Sequence, residues 1–484
     1  MSSQLYRLGR AMARHRRAVL TSWLALLVAV GALAGLSGGQ PQDELTIPGT
    51  EAQEGLDVLD QRFPEAGGTT AQILFVAPGG DVRAVADQVR DVLAEIADAP
   101  DVEYVGDPLD GTDPLAVSDD GSHALTTVRL GSELGDLDPG TVPALEAAAE
   151  RGSAGTDLEV HIGGSVYAET SVHITVAEVL GVVVAMVVLA ITFGSFLAAG
   201  MPLLTAVIGV GITMAAILAL AALTPVSSTA PTLALMIGLA VGIDYALFVL
   251  SRHRSQLATG MSVEESIARS VATAGSAVVF AGATVVIALC GLFVVGIPFL
   301  TVMGLTAALA VTIAVVIALT GLPALVAVAG ERLRPRPGSR AAVRALVEQH
   351  GDSPDTPGLV GSGQGGASGA TSARTMGSRW VHLVTRRPLL TVLVVVLGLG
   401  AMAIPAKDLA LGLPDNGSAE PGSPERVTYD LIDEAYGPGF NATLVVTVDI
   451  IRSTDPLGVM ADLAEDLRGF EGVAQVGMAT PNPT

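Results

Sequence analysis

Lysine is almost missing from this 484-residue chain: of 26 basic residues, Lys407 alone is a lysine. No G-x-x-x-x-G-K-[ST] stretch exists, so a P-loop phosphate cradle, which needs that lysine, is excluded within this polypeptide. Whatever work the chain does is not driven by an ATP site of its own. Cysteine is equally scarce. The single Cys290 excludes an internal disulfide framework and a cysteine-based metal site. No clustered His, Cys and carboxylate ligands suggest a metal, and no Ser/His/Asp set assembles, so neither an enzyme nor a cofactor is expected. Charge is thin at 15%, against about 25% in soluble domains. That shortage favours a membrane class.

What the chain has instead is apolar runs, at 18–36, 176–193, 197–223, 233–250, 277–295, 299–328 and 389–404. Each is of the length that crosses a hydrocarbon core of about 30 Å. Seven spans are expected. Arg7, Arg10, Arg14, Arg16 and Arg17 precede the first, Arg252 and Arg254 follow the fourth, and nine more arginines lie between Arg332 and Arg387. Alternating spans put all of these on one side, which the positive-inside rule makes cytoplasmic. Of the 26 basic residues 17 fall there, with six carboxylates, whereas inserts 37–173 and 407–484 hold 40 of the 48 acids. The net charge of −22 therefore belongs to outward-facing domains. It reads as solvated surface and argues against nucleic-acid partners.

At an offset of about 370 residues the chain restarts. "RRAVLTSWLALLVAVGALAG" from Arg16 is answered by "RRPLLTVLVVVLGLGAMAIP" from Arg386, and the segments that follow also correspond. The first span thus has a counterpart in mid-chain, so it reads as a retained helix and not a cleaved signal peptide. In the first insert, strands are expected at 71–76, 102–105, 124–130 and 158–162, with helices at 82–96 and 143–151. The order is β-α-β-β-α-β, the split ferredoxin-like arrangement. The second insert shows a strand at 443–450, a helix at 457–468 and a strand at 473–476. There it stops, halfway through such a unit, and 407–484 is expected to be poorly ordered. Residues 335–378, rich in Gly, Ser, Pro and Arg, read as a disordered cytoplasmic linker.

"GLAVGIDYALFVLSRHR", from Gly238, carries the one sharp anomaly. Asp244 stands inside the fourth span, where an Asp costs about 2.5–3.5 kcal/mol on insertion scales. A structural Asp bonded to a neighbouring helix is the bland explanation. A proton carrier is the functional one, because intramembrane carboxylates mark relays and apolar surroundings favour a carboxylate's neutral form. Tyr245 adds a neighbouring hydroxyl. Gly238 and Gly242 form a G-x-x-x-G step that admits another helix closely. Glu178 reads as an interfacial acid, with a substrate or proton entrance as the minority alternative. His253 reads as part of the cytoplasmic stop. Asn441-Ala442-Thr443 matches a glycosylation sequon that a bacterial outer domain would not use.

This segment resembles the fourth-helix signature of the MMPL (mycobacterial membrane protein large) family, within the RND (resistance–nodulation–division) superfamily of proton-driven exporters. "FAGATVVIALCGLFVVGIPFLTVMGLTAALAVTIAVVIALTGLPALVAVAG" is similar to that family's fifth and sixth helices. The resemblance implies that Asp244 and Tyr245 form the first of two Asp–Tyr proton-relay pairs. A second pair would fall near position 615, about one repeat on, so the chain is expected to be the amino-terminal part of a longer transporter.

The fold class expected is an α-helical membrane protein with extracytoplasmic α+β (ferredoxin-like βαββαβ) porter domains, RND-type and truncated in the second repeat. The expected divisions are 1–37 (cytoplasmic N-terminus and first helix), 38–173 (first porter domain), 174–329 (five-helix bundle), 330–378 (linker), 379–406 (seventh helix) and 407–484 (incomplete second porter domain). The expected function is proton-motive-force-driven export of lipids or other hydrophobic compounds, from the bacterial cytoplasmic membrane, with the N-terminus cytoplasmic. The lipid class is implied by the resemblance alone. The proton gradient stands in place of a cofactor. Expected partners are the lipid bilayer, a hydrophobic or lipid substrate, the carboxy-terminal half of the same transporter and a further copy in a homo-oligomer. The rival readings are a SecD/SecF-like protein-export accessory and a lipid- or sterol-sensing membrane protein without transport.

Overall fold

Apolar segments of this length satisfy their backbone groups in hydrocarbon only as helices or closed barrels, and here they are helices. The computed structural model describes residues 2–39, 41, 47–62, 69–77, 79–132, 134, 137–167, 176–335, 380, 383–408, 415–437, 439–441, 444–448, 450 and 453–477. Residues 336–379, where the linker is expected, and the sequon positions 442–443 lie outside them.

The chain opens with α1 (Ser2–Arg14) and α2 (Arg16–Ser37), then α3 (Glu51–Arg62). The first insert continues as β1 (Thr70–Val76), α4 (Ala86–Ala97), β2 (Val102–Val105), β3 (His123–Leu130), α5 (Thr141–Ser153) and β4 (Glu159–Gly163). The bundle follows: α6 (Val176–Phe193), α7 (Phe196–Ala221), α8 (Thr229–Ala258), α9 (Val263–Cys290), α10 (Pro298–Leu319) and α11 (Gly321–Ala329). Beyond the linker come α12 (Pro388–Ala403), α13 (Pro424–Tyr436) and α14 (Pro456–Arg468).

Among the described residues six helices are long and apolar enough to cross a membrane: α2, α7, α8, α9, the α10–α11 stretch and α12. The helix α6, Val176–Phe193, is apolar over most of its 18 residues, and the residues before it lie outside the described ones. The expected sixth span is interrupted. Backbone angles at Thr320 leave the helical region (φ −125°, ψ −58°), and α11 restarts at Gly321 with Pro323 in its first turn. Gly321 is required there, because a Cβ would stand 2.8 Å from Ile317 Cγ1 and 3.4 Å from Trp23 Nε1.

The inserted sheet has order β2-β3-β1-β4, every pairing antiparallel, with Leu74 opposite both Leu125 and His161. Alternate side chains of β1 go to opposite faces. Ile73 and Phe75 join Val89, Val92, Leu93 and Ile96 of α4 and Leu145 of α5. Leu74 and Val76 meet Ile432 of α13, a helix from the second insert. Thr428 donates to the Ile162 carbonyl at 2.8 Å and Asn416 to that of Gly164 at 3.2 Å. Tyr436 reaches the Ala116 carbonyl at 2.9 Å. The second insert therefore covers both the outer face and the edge strand of the first insert's sheet. Open edges of this kind invite foreign pairing unless covered.

Of the strands expected at 443–450 and 473–476, positions 443 and 449 lie outside the described residues. Leu444–Val448 and Val473–Val476 carry no ladder among the described residues, and Leu444 is 89% exposed. An extended segment without a neighbour to pair with is not a strand.

Candidate functional site

Helix α8 is two-faced by residue size. Ala234, Gly238, Gly242, Ala246 and Val249 form its buried stripe. Gly238 lies against Val210 of α7 and Ala310 of α10, whose atoms stand 3.3 and 3.5 Å from where a Cβ would be. Gly242 is tighter: Ala206 Cβ stands 3.1 Å and its Cα 3.3 Å from that position. Small residues let the three helices approach through van der Waals contact alone.

Packing through that stripe leaves the opposite face open. Thr232, Met236, Ala240, Asp244 and Phe248 recur every fourth residue and are all exposed. Asp244 lies fifteen residues from Thr229 and fourteen from Ala258, the middle of the 30-residue helix. It is therefore deep along the helix axis, by about 21–22 Å from either end. It is laterally exposed on that open face. Tyr245, one residue on, turns towards α9 and α10. Its Cε2 stands 3.7 Å from where a Cβ on Gly282 would be, and the ring packs among the bundle core. Among the described residues neither the Asp244 carboxylate nor the Tyr245 hydroxyl has a hydrogen-bond or ion-pair partner. Glu178 sits in the first turn of α6, and its side chain lies outside the described residues.

A second polar cluster closes one end of the bundle. Arg254, 7% exposed, donates to the Phe193 carbonyl at 2.9 Å and the Leu333 carbonyl at 3.2 Å, with its guanidinium 5.1 Å from the Phe193 ring centroid. Arg334 donates to the Leu257 and Met261 carbonyls at 2.6 and 3.2 Å, and Arg16 to Ala327 at 2.7 Å. Cations thus satisfy the carbonyls that helix ends leave unpaired. His253, beside these arginines, is buried. It is 1% exposed, with Nδ1 2.9 Å from Ser266 Oγ, because α8 continues past it to Ala258.

At the same end, α1 lies along α9. Tyr6 donates to Glu265 at 2.6 Å, while Arg10 and Arg14 reach Glu264 at 2.8 and 2.9 Å. Gly9 permits the approach, since a Cβ there would meet Val271 Cβ at 2.9 Å. Leu5, Leu8 and Met12 at helical spacing were the available signal for this helix, hidden under the attention its arginines draw. Among the described residues no group of three or more His, Cys, Asp or Glu could hold a metal.

The chain is similar to known proteins. A family model described as "MMPL family" matches residues 44–391. Membrane protein YdfJ of Bacillus subtilis (strain 168) is 34% identical over the whole chain, which spans 63% of that protein. The mycolic acid-containing lipids exporter MmpL11 of Mycolicibacterium smegmatis is 27% identical over 90% of this chain, spanning 44% of its own length. A crystal structure of SecDF in its super-membrane-facing form overlaps 66% of this chain at a TM-score of 0.36 and 15% identity, covering 38% of that protein. The chain thus spans under two thirds of each of these proteins. Six apolar helices and these relatives make it a multi-pass membrane protein. With the family model covering most of its length, this chain belongs to the MMPL family.

Proposed function

We propose that the chain serves proton-motive-force-driven export of lipids or other hydrophobic compounds, as part of a transporter as long as its relatives. The observation that carries the reading is Asp244: an unpartnered carboxylate at the midpoint of a 30-residue apolar helix, on the face left free by the α7 and α10 contacts. Its insertion cost of about 2.5–3.5 kcal/mol makes function the default explanation. Inward movement of one charge through 100 mV supplies about 2.3 kcal/mol, enough to bias a rocking equilibrium between helix bundles. In the longer protein, further helices closing over the Asp244 face would sense whether the carboxylate is charged, with Tyr245 as the adjoining hydroxyl.

The arginines gathered at one end of the bundle support a cytoplasmic N-terminus by the positive-inside rule. The βαββαβ unit then stands outside as a ferredoxin-like porter domain, in the bacterial cytoplasmic membrane. Its contact with α13 would carry movement between the two inserts. The lipid class rests on relatives such as the mycolic acid-containing lipids exporter MmpL11. The test is export of a fluorescent acyl-chain lipid from vesicles under an imposed pH gradient. Asp244→Asn in the full-length transporter should abolish it, and Tyr245→Phe should slow it less, because a water can replace the hydroxyl. Export by the Asn variant at the parent's rate overturns the proposal.

A further inference from the structure

An apolar crevice of about 160 Å³ opens between α2, α7 and the break that separates α10 from α11. Leu20, Trp23, Leu24, Leu204, Ile208 and Leu325 line it. The polar groups on its wall are already spent. Trp23 Nε1 donates to Thr320 Oγ1 at 3.1 Å, and Thr205 Oγ1 donates to the Met201 and Pro202 carbonyls at 3.1 and 3.0 Å. A site without free polar partners does not hold water, and apolar cavities of about this size take benzene-sized apolar groups. Such a crevice fits hydrocarbon.

Its depth says which hydrocarbon. Leu20, Leu24 and Leu27 stand four, eight and eleven residues beyond Arg16 on α2. At 1.5 Å per residue the crevice runs from about 6 to about 16 Å below the arginines. That is one leaflet of a hydrocarbon core about 30 Å thick. Arg17 precedes Leu20 by three residues and Leu24 by seven, so it stands over the crevice on the same face of α2. Its side chain is exposed and has no hydrogen-bond or ion-pair partner among the described residues. Arg16 beside it commits one nitrogen to the Ala327 carbonyl. A cation above an apolar slot one leaflet deep complements a lipid with a negative head group.

We infer that this crevice is a binding site for one acyl chain of an anionic phospholipid, with the phosphate held at Arg17. The lipid lies in the leaflet on the arginine-bearing side and wedges α2 against the α10–α11 break. The site is separate from Asp244 and stands whether or not Asp244 carries protons.

Trp23 reports on the site directly, and Trp380 is the other tryptophan of the chain. The Trp380→Phe chain is reconstituted in phosphatidylcholine vesicles, and quenching of Trp23 is followed with brominated acyl chains on either phosphatidylglycerol or phosphatidylcholine. About a fivefold preference for the brominated phosphatidylglycerol is expected. Arg17→Gln, an exposed position, should erase the preference while leaving quenching by both lipids. Leu204→Phe, which fills the crevice without adding an indole, should weaken quenching by both. Equal quenching by the two lipids in the parent chain overturns the inference, as does a preference that survives Arg17→Gln.

Discussion

Ile432→Ala should release α13 from the sheet of the first insert. Ile432 is fully buried, set between Leu74, fully buried, and Val76, 9% exposed, with Tyr436 and Phe440 stacked beside it at 4.6 Å between ring centroids. Truncating a buried Ile to Ala costs about 2–5 kcal/mol. The hydrogen bonds from Thr428 and Tyr436 add only about 0.5–1.5 kcal/mol each. The side chain is thus a large share of what holds the helix down. At 1.4 kcal/mol per decade, even the lower bound shifts the docking equilibrium by about 30-fold. Amide exchange followed by mass spectrometry reads this directly. Exchange in 424–436 and along β4 should accelerate by at least that factor, while α4, on the opposite face of the sheet, keeps its protection. Ile432→Val should cost about 0.5–1.5 kcal/mol and move exchange far less. Unchanged protection of 424–436 in Ile432→Ala would refute the docked arrangement.

Gly242→Val should lower the thermal stability of the bundle by about 1–3 kcal/mol, since its branched side chain would enter the Ala206 contact; Gly238→Ala should be milder. Asp101, at φ 59°, accepts from the Asp138 backbone N–H at 2.6 Å and from the Ser132 and Thr141 hydroxyls, and these bonds hold its carboxyl below its ordinary value of 3.8. Its stabilisation is complete above that value and is lost as pH falls through the lower folded value, so amide protection at 138–141 should fade in acid. In Asp101→Asn, which tolerates the left-handed backbone, that fading should be absent. For topology, in a Cys290→Ser background, Asp91→Cys should react with an impermeant maleimide on intact cells and Gln4→Cys only after lysis. The reverse would invert the assigned orientation.

Elements set by local pattern were legible in the sequence. β2 runs over 102–105 as the apolar run indicates, and the helix expected at 82–96 is a 3-10 turn at Val82–Val85 leading into α4. The apolar runs became helices because length and hydropathy suffice in a membrane. What stayed hidden depends on distant partners. Nothing near Thr428 shows that its hydroxyl bonds a carbonyl 266 residues earlier. The repeat does carry a trace: "DVLDQR" of the first insert answers "DLIDEA" of the second, and both prove to be helical. For Asp244, the type and depth of the residue could be read, but not its lateral exposure. That follows from which face of α8 packs, and the Ala-Gly-Gly-Ala spacing of 234, 238, 242 and 246 was the signal that told it. The burial of His253 could not be read from its basic neighbours, because it follows from distant contacts such as those of Arg254 with the Phe193 and Leu333 carbonyls.

Asp244 carries the account, and paired fluxes test it most directly. Vesicles holding the full-length transporter and a trapped pH dye would report proton movement and export of a fluorescent acyl-chain lipid in the same sample. In the parent protein the two fluxes should rise and fall together as the imposed gradient is varied, and Asp244→Asn should silence both while the protein remains inserted. Lipid export that continues in Asp244→Asn, or that proceeds in the parent with no accompanying proton flux, would contradict the assignment of Asp244 as the carrier of the driving proton.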